Sequence, residues 1–460
     1  MTTRADFGDG FSWGVATSAY QIEGAAAEDG RGPSIWDTFS HTPGTTHDGD
    51  TGDVADDHYH RYREDVRLME ELGVDAYRFS ISWSRILPEG TGRVNEDGVA
   101  FYRSLCQALV EAGIEPVVTL YHWDLPQALQ DVGGWLDVRS ATWFADYATV
   151  AKERLGDLVR IWTTHNEPWC AAYLGHGKGL FAPGLTDPGS AYVAAHNLML
   201  AHHRAIAALR QTSPRPDDQL GIVLNLIPAW PAGDTDDDRQ AAAAVDAIQN
   251  RQFADAVFFG TYPDEVLEAH ARFGIDDVID PVDLAGARQD IDFLGVNYYN
   301  IHHVAHVPGA PAPPEWPAAD GAMITRPPGE LTATGWGVEP EGLAWMLKRV
   351  DADYPPVPLL ITENGAAYHD EVSADGSVHD TERARYLQLH LAAVADAISE
   401  GVDVRGYFAW SLLDNFEWAE GYSKRFGLVR VDYETQERTI KDSGHWYRKW
   451  LAGEEELSVD

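Results

Sequence analysis

Two glutamates sit where apolar runs end. Glu363 follows Leu359-Leu360-Ile361 in "PLLITENG", and Glu167 closes a second run in "VRIWTTHNEPW". An isolated acid in a turn is ordinarily a solvated loop residue. Two acids at the ends of core strands allow a more specific chemistry. A pair of carboxyl groups facing one bond can cleave a glycoside, one protonating the leaving oxygen and the other facing the anomeric carbon. The two must differ in pKa, and their surroundings must set the difference. Arg78 is the candidate partner of the ionised member, because a nearby guanidinium favours the charged carboxylate. Glu167 stands between Asn166 and Pro168 among aromatic residues, where burial would keep its proton on.

Strands must bring these tips together, and the chain alternates accordingly. Strand-like runs occur at "FSWGVATSAYQ", "VDAYRFSIS", "IEPVVTLYHW", "LVRIWTTHNE", "LGIVLNLIPAW", "IDFLGVNYY", "PLLITENG" and "VRGYFAWSLLD". Segments of helical period lie between most of them, "DRQAAAAVDAIQNRQFADAVFFG" among them, and "KDSGHWYRKWLAG" closes the chain. Strand–helix alternation implies parallel pairing. Eight such units with nearly continuous apolar strands predict an α/β fold, a closed (β/α)8 barrel with long strand-to-helix loops. The stretch 307–334, "VPGAPAPPEWPAADGAMITRPPGELTAT", has the proline content of a linker. Alternation resumes beyond it, so it reads as one of those loops, and residues 1–460 are expected to form a single domain.

Composition narrows the function. The 460 residues carry a formal net charge of −39 and 44% hydrophobic residues, enough for a sizeable core. A nucleic-acid partner is disfavoured, because phosphates need a basic footprint. No apolar run approaches a membrane span, and "MTTRADFGDGFSWG" lacks the build of a secretory signal. A cytoplasmic protein without a membrane partner is the expectation. Cys106 and Cys170 are too few for a disulfide framework or zinc cluster, and Cys106 reads as helix core. Two readings fit the charge: solubility through surface repulsion, or adaptation to salt, which screens that repulsion.

The strand tips of a barrel carry its chemistry, and these are rich in polar and aromatic groups. They offer Gln21 and Glu23, then Arg78, then Tyr121-His122-Trp123-Asp124, then His165-Asn166-Glu167. Later tips give Asn297-Tyr298-Tyr299, Glu363-Asn364 and Trp410 through Asp414 to Glu417-Trp418. Any one tip would pass for surface decoration. Together they make a polar cup walled with aromatic rings, the lining that sugar hydroxyls and C–H faces require.

"FSWGVATSAYQIEG", "YRFSISWSRI", "YHWDLPQAL", "THNEPW", "GVNYY", "ITENG" and "WSLLDNFEWAEGYSKRFGLV" resemble the glycoside hydrolase family 1 β-glucosidases, in order along essentially the whole chain. The resemblance implies a retaining β-glycosidase on a TIM barrel, acting on small β-glucosides or cello-oligosaccharides without a cofactor. It makes Glu167 the acid/base and Glu363 the nucleophile, with Arg78 and Tyr299 holding Glu363 and Asn297 lining the same pocket. The implied substrate-binding set is Gln21, His122, Trp123, Asn166, Trp410, Glu417, Trp418 and Phe426, with Trp410 beneath the sugar ring on a cis peptide to Ser411. Cys170, Leu174, Phe181 and Trp336 are expected at the aglycone entrance. Phe181 is a departure there, since relatives with a similar "LGHG" loop usually carry histidine.

Neighbouring branches are separated by single residues. The related 6-phospho-β-glycosidases carry serine where this chain has Glu417, and tyrosine where it has Phe426; a carboxylate would repel a phosphate. The thioglucosidase branch replaces the acid/base by glutamine, and Glu167 excludes it. A metal-dependent hydrolase would need ligands converging from several strand ends, and the pairs His58/His60, His202/His203 and His302/His303 do not supply them. A non-catalytic sugar-binding barrel would keep the aromatics and lose an acid, whereas both acids are present.

Overall fold

The computed structural model describes residues 2–457. Eight parallel strands close on themselves: β1 (Ser12–Thr17), β2 (Ala76–Ser80), β3 (Glu115–Tyr121), β4 (Ile161–Asn166), β5 (Gln219–Asn225), β6 (Phe293–Asn297), β7 (Leu359–Asn364) and β8 (Val404–Trp410). Each pairs with its chain neighbours, and β8 pairs with β1. All eight strand-like runs of the sequence are barrel strands. The helices that follow them are α1 (His58–Leu72), α2 (Glu96–Glu111), α3 (Ser140–Leu155), α4 (Pro188–Gln211), α5 (Asp236–Asp246), α6 (Pro340–Asp353), α7 (Thr381–Ser399) and α8 (Asp442–Leu451).

The barrel interior is narrow, and its side chains show it. Ala16, Ala76, Val117 and Phe408 pack together inside, with Ile161 against them. Phe408 fills the axis because β1 offers it a glycine; a Cβ on Gly14 would collide with the Phe408 ring. A much larger apolar layer lies between strands and helices, including wholly buried Trp83, Trp135 and Trp162.

Some elements differ from the expected pattern. The helix expected over 238–260 is broken by a π-helical turn, Ala247–Arg251, before it resumes at Gln252–Phe259. Two further helices, Asp264–Phe273 and Pro281–Ala287, precede β6. The long 307–334 loop contributes a short strand, Ala322–Ile324, to a small sheet with Ala229–Pro231 and His302–His306. Pairing of three residues leaves too little periodicity to be read from sequence.

Register irregularities in β4 and β7 aim the tips. Thr163 bonds across the barrel wall to Thr119. Thr164 and His165 then both turn to α4, bonding His202 and the Leu198 carbonyl. The β4–β5 register shifts between Thr163 and Asn166, and Asn166 comes back inward. On β7, Thr362 reaches Asn297, so strict alternation would turn Glu363 away. A register shift between Ile361 and Glu363 places Glu363 opposite Asn297 instead. Bulges of this kind re-aim side chains beside binding sites.

Candidate active site

Above the C-terminal ends of the strands lies a cavity of about 420 Å³. Glu167 and Glu363 both open into it, each nearly buried. Their partners differ. Arg78, wholly buried on β2, donates from Nη1 to Glu363 Oε1 at 2.6 Å, and the Tyr299 hydroxyl donates to Oε2 at 2.7 Å. Among the described residues no cation pairs with Glu167. Its Oε1 accepts from Asn297 Nδ2 at 2.7 Å, and the Cys170 thiol donates to Oε2 at 3.2 Å. Its backbone adopts a left-handed φ of 46°, at the point where β4 hands over to the helical turn carrying Trp169 and Cys170.

These surroundings separate the two acids. Burial first, and then the charge of Glu363, push Glu167 up to about 8. Burial raises Glu363 as well, and its net shift stays upward although Arg78, Tyr299 and Asn297 oppose it. One carboxyl group is therefore protonated near neutrality beside another that an ion pair holds charged. Glu417 is also pushed up to about 8, by burial and then by Glu363 and Glu167.

Asn166 ties the layer beneath together. Its Oδ1 accepts from Arg78 Nη2 at 2.7 Å and from Asn297 Nδ2 at 3.0 Å. That orients its amide nitrogen toward His122 Nε2, 3.0 Å away. Burial keeps His122 neutral, so its proton sits on Nδ1, which has no protein partner. The ring lines the cavity, with that nitrogen itself buried.

The remaining residues singled out from the sequence divide into wall and support. His122, Trp123, Trp410, Glu417, Trp418 and Phe426 line the cavity, as do Leu174, Phe181, Trp336, Asn297 and Tyr299. The peptide between Trp410 and Ser411 is cis. Phe181 packs on Trp36 and Trp123, and Trp336 on Tyr299. Arg78, Asn166 and Gln21 are wholly buried behind the wall; Gln21 donates to Asn415 Oδ1, to the Phe416 carbonyl and, at 3.4 Å, to Glu417 Oε2. Cys170 lies deeper than the entrance expected for it, against the carboxyl of Glu167, because it opens the helical turn that follows that residue.

Several tip residues serve the scaffold. Glu23 pairs with Arg85 and accepts from Tyr102. Asp414 is buried between Lys441 and Arg425. Asn364 binds the Tyr298 carbonyl and Tyr407, and Gly365 follows because a Cβ there would run into the Trp410 carbonyl. The cavity also includes residues that the sequence did not single out for it: Trp169, Asn225, His302 and Trp316. Trp169 adjoins Glu167 in "NEPW", a signal that was available. Trp316 comes from the proline-rich 307–334 loop, where no periodicity marks it. Among the described residues no group of three or more His, Cys, Asp or Glu could hold a metal ion, and no helix is long and apolar enough to cross a membrane.

A family model described as "Glycosyl hydrolase family 1" matches residues 3–456. Beta-glucosidase A of Thermotoga maritima is 50% identical over 442 residues, covering 96% of both chains. The bifunctional beta-D-glucosidase/beta-D-fucosidase of Bifidobacterium breve is 49% identical, covering 97% of this chain and 98% of its own. Among solved structures, the family 1 b-glucosidase from Thermotoga maritima aligns with a TM-score of 0.93 at 49% identity, over 98% of this chain and 99% of that one. The beta-glucosidase from the same organism in complex with castanospermine aligns with a TM-score of 0.91 at 48% identity, over 97% and 98%.

Proposed function

The chain belongs to glycosyl hydrolase family 1, and from that premise we propose that Glu363 is the nucleophile and Glu167 the acid/base of a β-glycosidase. The protein is a retaining β-glucosidase that hydrolyses terminal β-D-glycosyl residues. The observation that supports the assignment of roles is the asymmetry of the pair. Glu363 has a guanidinium at 2.6 Å, while the partners of Glu167 among the described residues are an amide and a thiol.

In the first half-reaction a carboxylate oxygen of Glu363 attacks the anomeric carbon. The glycosidic bond breaks as Glu167 gives its proton to the departing oxygen, leaving a covalent glycosyl ester. In the second, Glu167 takes a proton from water, which attacks the same carbon and releases Glu363. Two inversions give net retention. The sugar is expected to meet His122, Glu417 and the indoles of Trp410 and Trp418. Three carboxyl groups in one cavity, Glu167, Glu363 and Glu417, disfavour a phosphorylated sugar, and Lys424 faces Glu420 rather than standing free.

β-Glucosides and short cello-oligosaccharides are the proposed substrates, and β-fucosides fit the same reading, since one relative is named for both activities. All 460 residues are taken as one catalytic domain. Two unbridged buried thiols, Cys106 and Cys170, suit a reducing compartment, and a cytoplasmic site of action is part of the proposal. The test is a leaving-group series of aryl β-glucosides with the anomer followed by NMR. The first product should be the β-anomer. Glu363→Ala should abolish turnover throughout, and Glu167→Ala should lose ~10²–10⁴-fold, concentrated on poor leaving groups. An initial α-anomer, or equal loss on good and poor leaving groups, would refute the roles.

A further inference from the structure

Cys170 has no part in the mechanism above, yet its Sγ lies 3.2 Å from Glu167 Oε2 and lines the cavity. The two oxygens of Glu167 are held in different ways. Oε1 accepts from the Asn297 amide, whose orientation is fixed because Thr362 Oγ1 donates to Asn297 Oδ1 at 2.7 Å. Oε2 has Cys170, whose sulfur in turn accepts from Asn225 Nδ2 at 3.7 Å. The Cys170 amide also donates to the Glu167 carbonyl at 2.9 Å, so thiol and carboxyl ride on one rigid turn.

We propose that Cys170 is a positioning residue for the acid/base: its thiol donates to Oε2, fixes the plane of the carboxyl group and favours its ionised form. This rests on the assignment of Glu167 as the acid/base. The thiol keeps its proton, since burial and then the adjacent Glu167 charge push it well above its ordinary value. A neutral donor on Oε2 opposes burial and the charge of Glu363, which otherwise hold the proton on. The acid/base must shed that proton in one half-reaction and recover it in the other. Without this donor the group would be a weaker acid.

The other titratable or charged groups around Glu167 are Glu363, Arg78, Glu417 and Tyr299. His122 and His302 in the same wall are kept neutral by burial. Among the described residues only Cys170 donates to Oε2. Removing the thiol therefore leaves that oxygen without a protein donor and changes no charge.

The experiment is the pH profile of kcat/KM for Cys170→Ala, Cys170→Val and Cys170→Ser, with Glu167→Gln as control. Losing one neutral donor should move the alkaline limb upward by roughly half a pH unit in the Ala and Val variants. Their kcat/KM should fall several-fold on poor leaving groups and little on good ones. Serine keeps a donor and should restore the limb. Valine removes the donor without opening a void, so it carries the test where alanine compromises folding, which melting curves will show. If Glu167→Gln loses the alkaline limb but the Ala and Val profiles overlie the wild type, the role of Cys170 is refuted while that of Glu167 stands. If Glu167→Gln keeps the limb, the limb belongs to another group, and both assignments fall.

Discussion

Glycosylation of Glu363 removes a negative charge from beside Glu167, and the consequence should be measurable in the unmodified enzyme. In the free enzyme that charge is the second cause, after burial, of the rise of Glu167 to about 8. A retaining pair stands ~5–5.5 Å apart. At an effective dielectric of about 20, two unit charges at that distance interact with about 3 kcal/mol, which corresponds to about 2 pH units. Removing a negative neighbour stabilises the carboxylate, so Glu167 should fall by that amount in the ester and become a base suited to activating water. The alkaline limb of kcat/KM reports the free enzyme, and kcat reports the bound states. With a dinitrophenyl glucoside, whose leaving group needs no proton, kcat is set by the second half-reaction. The alkaline limb of kcat/KM on a poor leaving group should lie near 8, and the acid limb of kcat on the activated substrate about two units lower. Limbs that coincide within a few tenths of a unit would refute the argument that the charge of Glu363 sets the protonation of Glu167.

Two further outcomes concern stability. Nine histidines, His122, His165, His176, His196, His202, His203, His270, His302 and His390, are held below their ordinary value by desolvation, six of them to about 4. The unfolded chain binds protons at these sites from about 6.5 downward, so stability is lost as pH falls below that value, at about 1.4 kcal/mol per histidine by pH 5.5. Glu167, Glu417 and Asp124, raised to about 8, are protonated in the fold and oppose the loss, but the histidines outnumber them. The melting temperature should drop steeply between pH 6.5 and 5, and a flat curve there would overturn the account. Added salt should act the other way: 34 basic residues cannot pair with 73 acidic ones, and the screening length shrinks from ~10 Å at 0.1 M to ~3 Å at 1 M. The melting temperature should rise toward 1 M KCl while kcat changes little, because the Arg78–Glu363 pair is buried; a flat or falling curve would favour charge as a solubility device alone.

The strands were legible because a barrel strand is buried on both faces and reads as an apolar run with a polar tip. β4 and β7 show how far that goes. "TTHN" and "LLITEN" locate the tips, but a register shift leaves no mark in residue type. It decides that Asn166 and Glu363 reach the polar layer under the cavity, while His165 turns to α4. Tip position likewise does not separate wall from support. Glu23 and Asp414 have the same chemistry as Glu417, yet Arg85 and Lys441 claim them for the scaffold. Those partners come from distant segments and become visible only once the barrel closes. Trp316 escaped for the opposite reason, since an irregular loop gives a side chain no pattern by which to predict its direction.

The two glutamates are identical groups on similar strands, so their roles must come from what each touches. Arg78 sits on Glu363, and Asn297 on Glu167, but both donors also converge on the single amide oxygen of Asn166. The guanidinium that keeps the nucleophile charged and the amide that orients the acid are thus referenced to one atom. A shift of Asn166 would disturb both carboxyl groups together, and the same amide fixes the tautomer of His122 through its other end. Asn166 does not line the cavity, and its neighbour Trp123 holds its backbone by an indole hydrogen bond at 2.8 Å. Retention requires two carboxyl groups at a fixed spacing with opposite protonation, and here one buried amide sets the geometry for both.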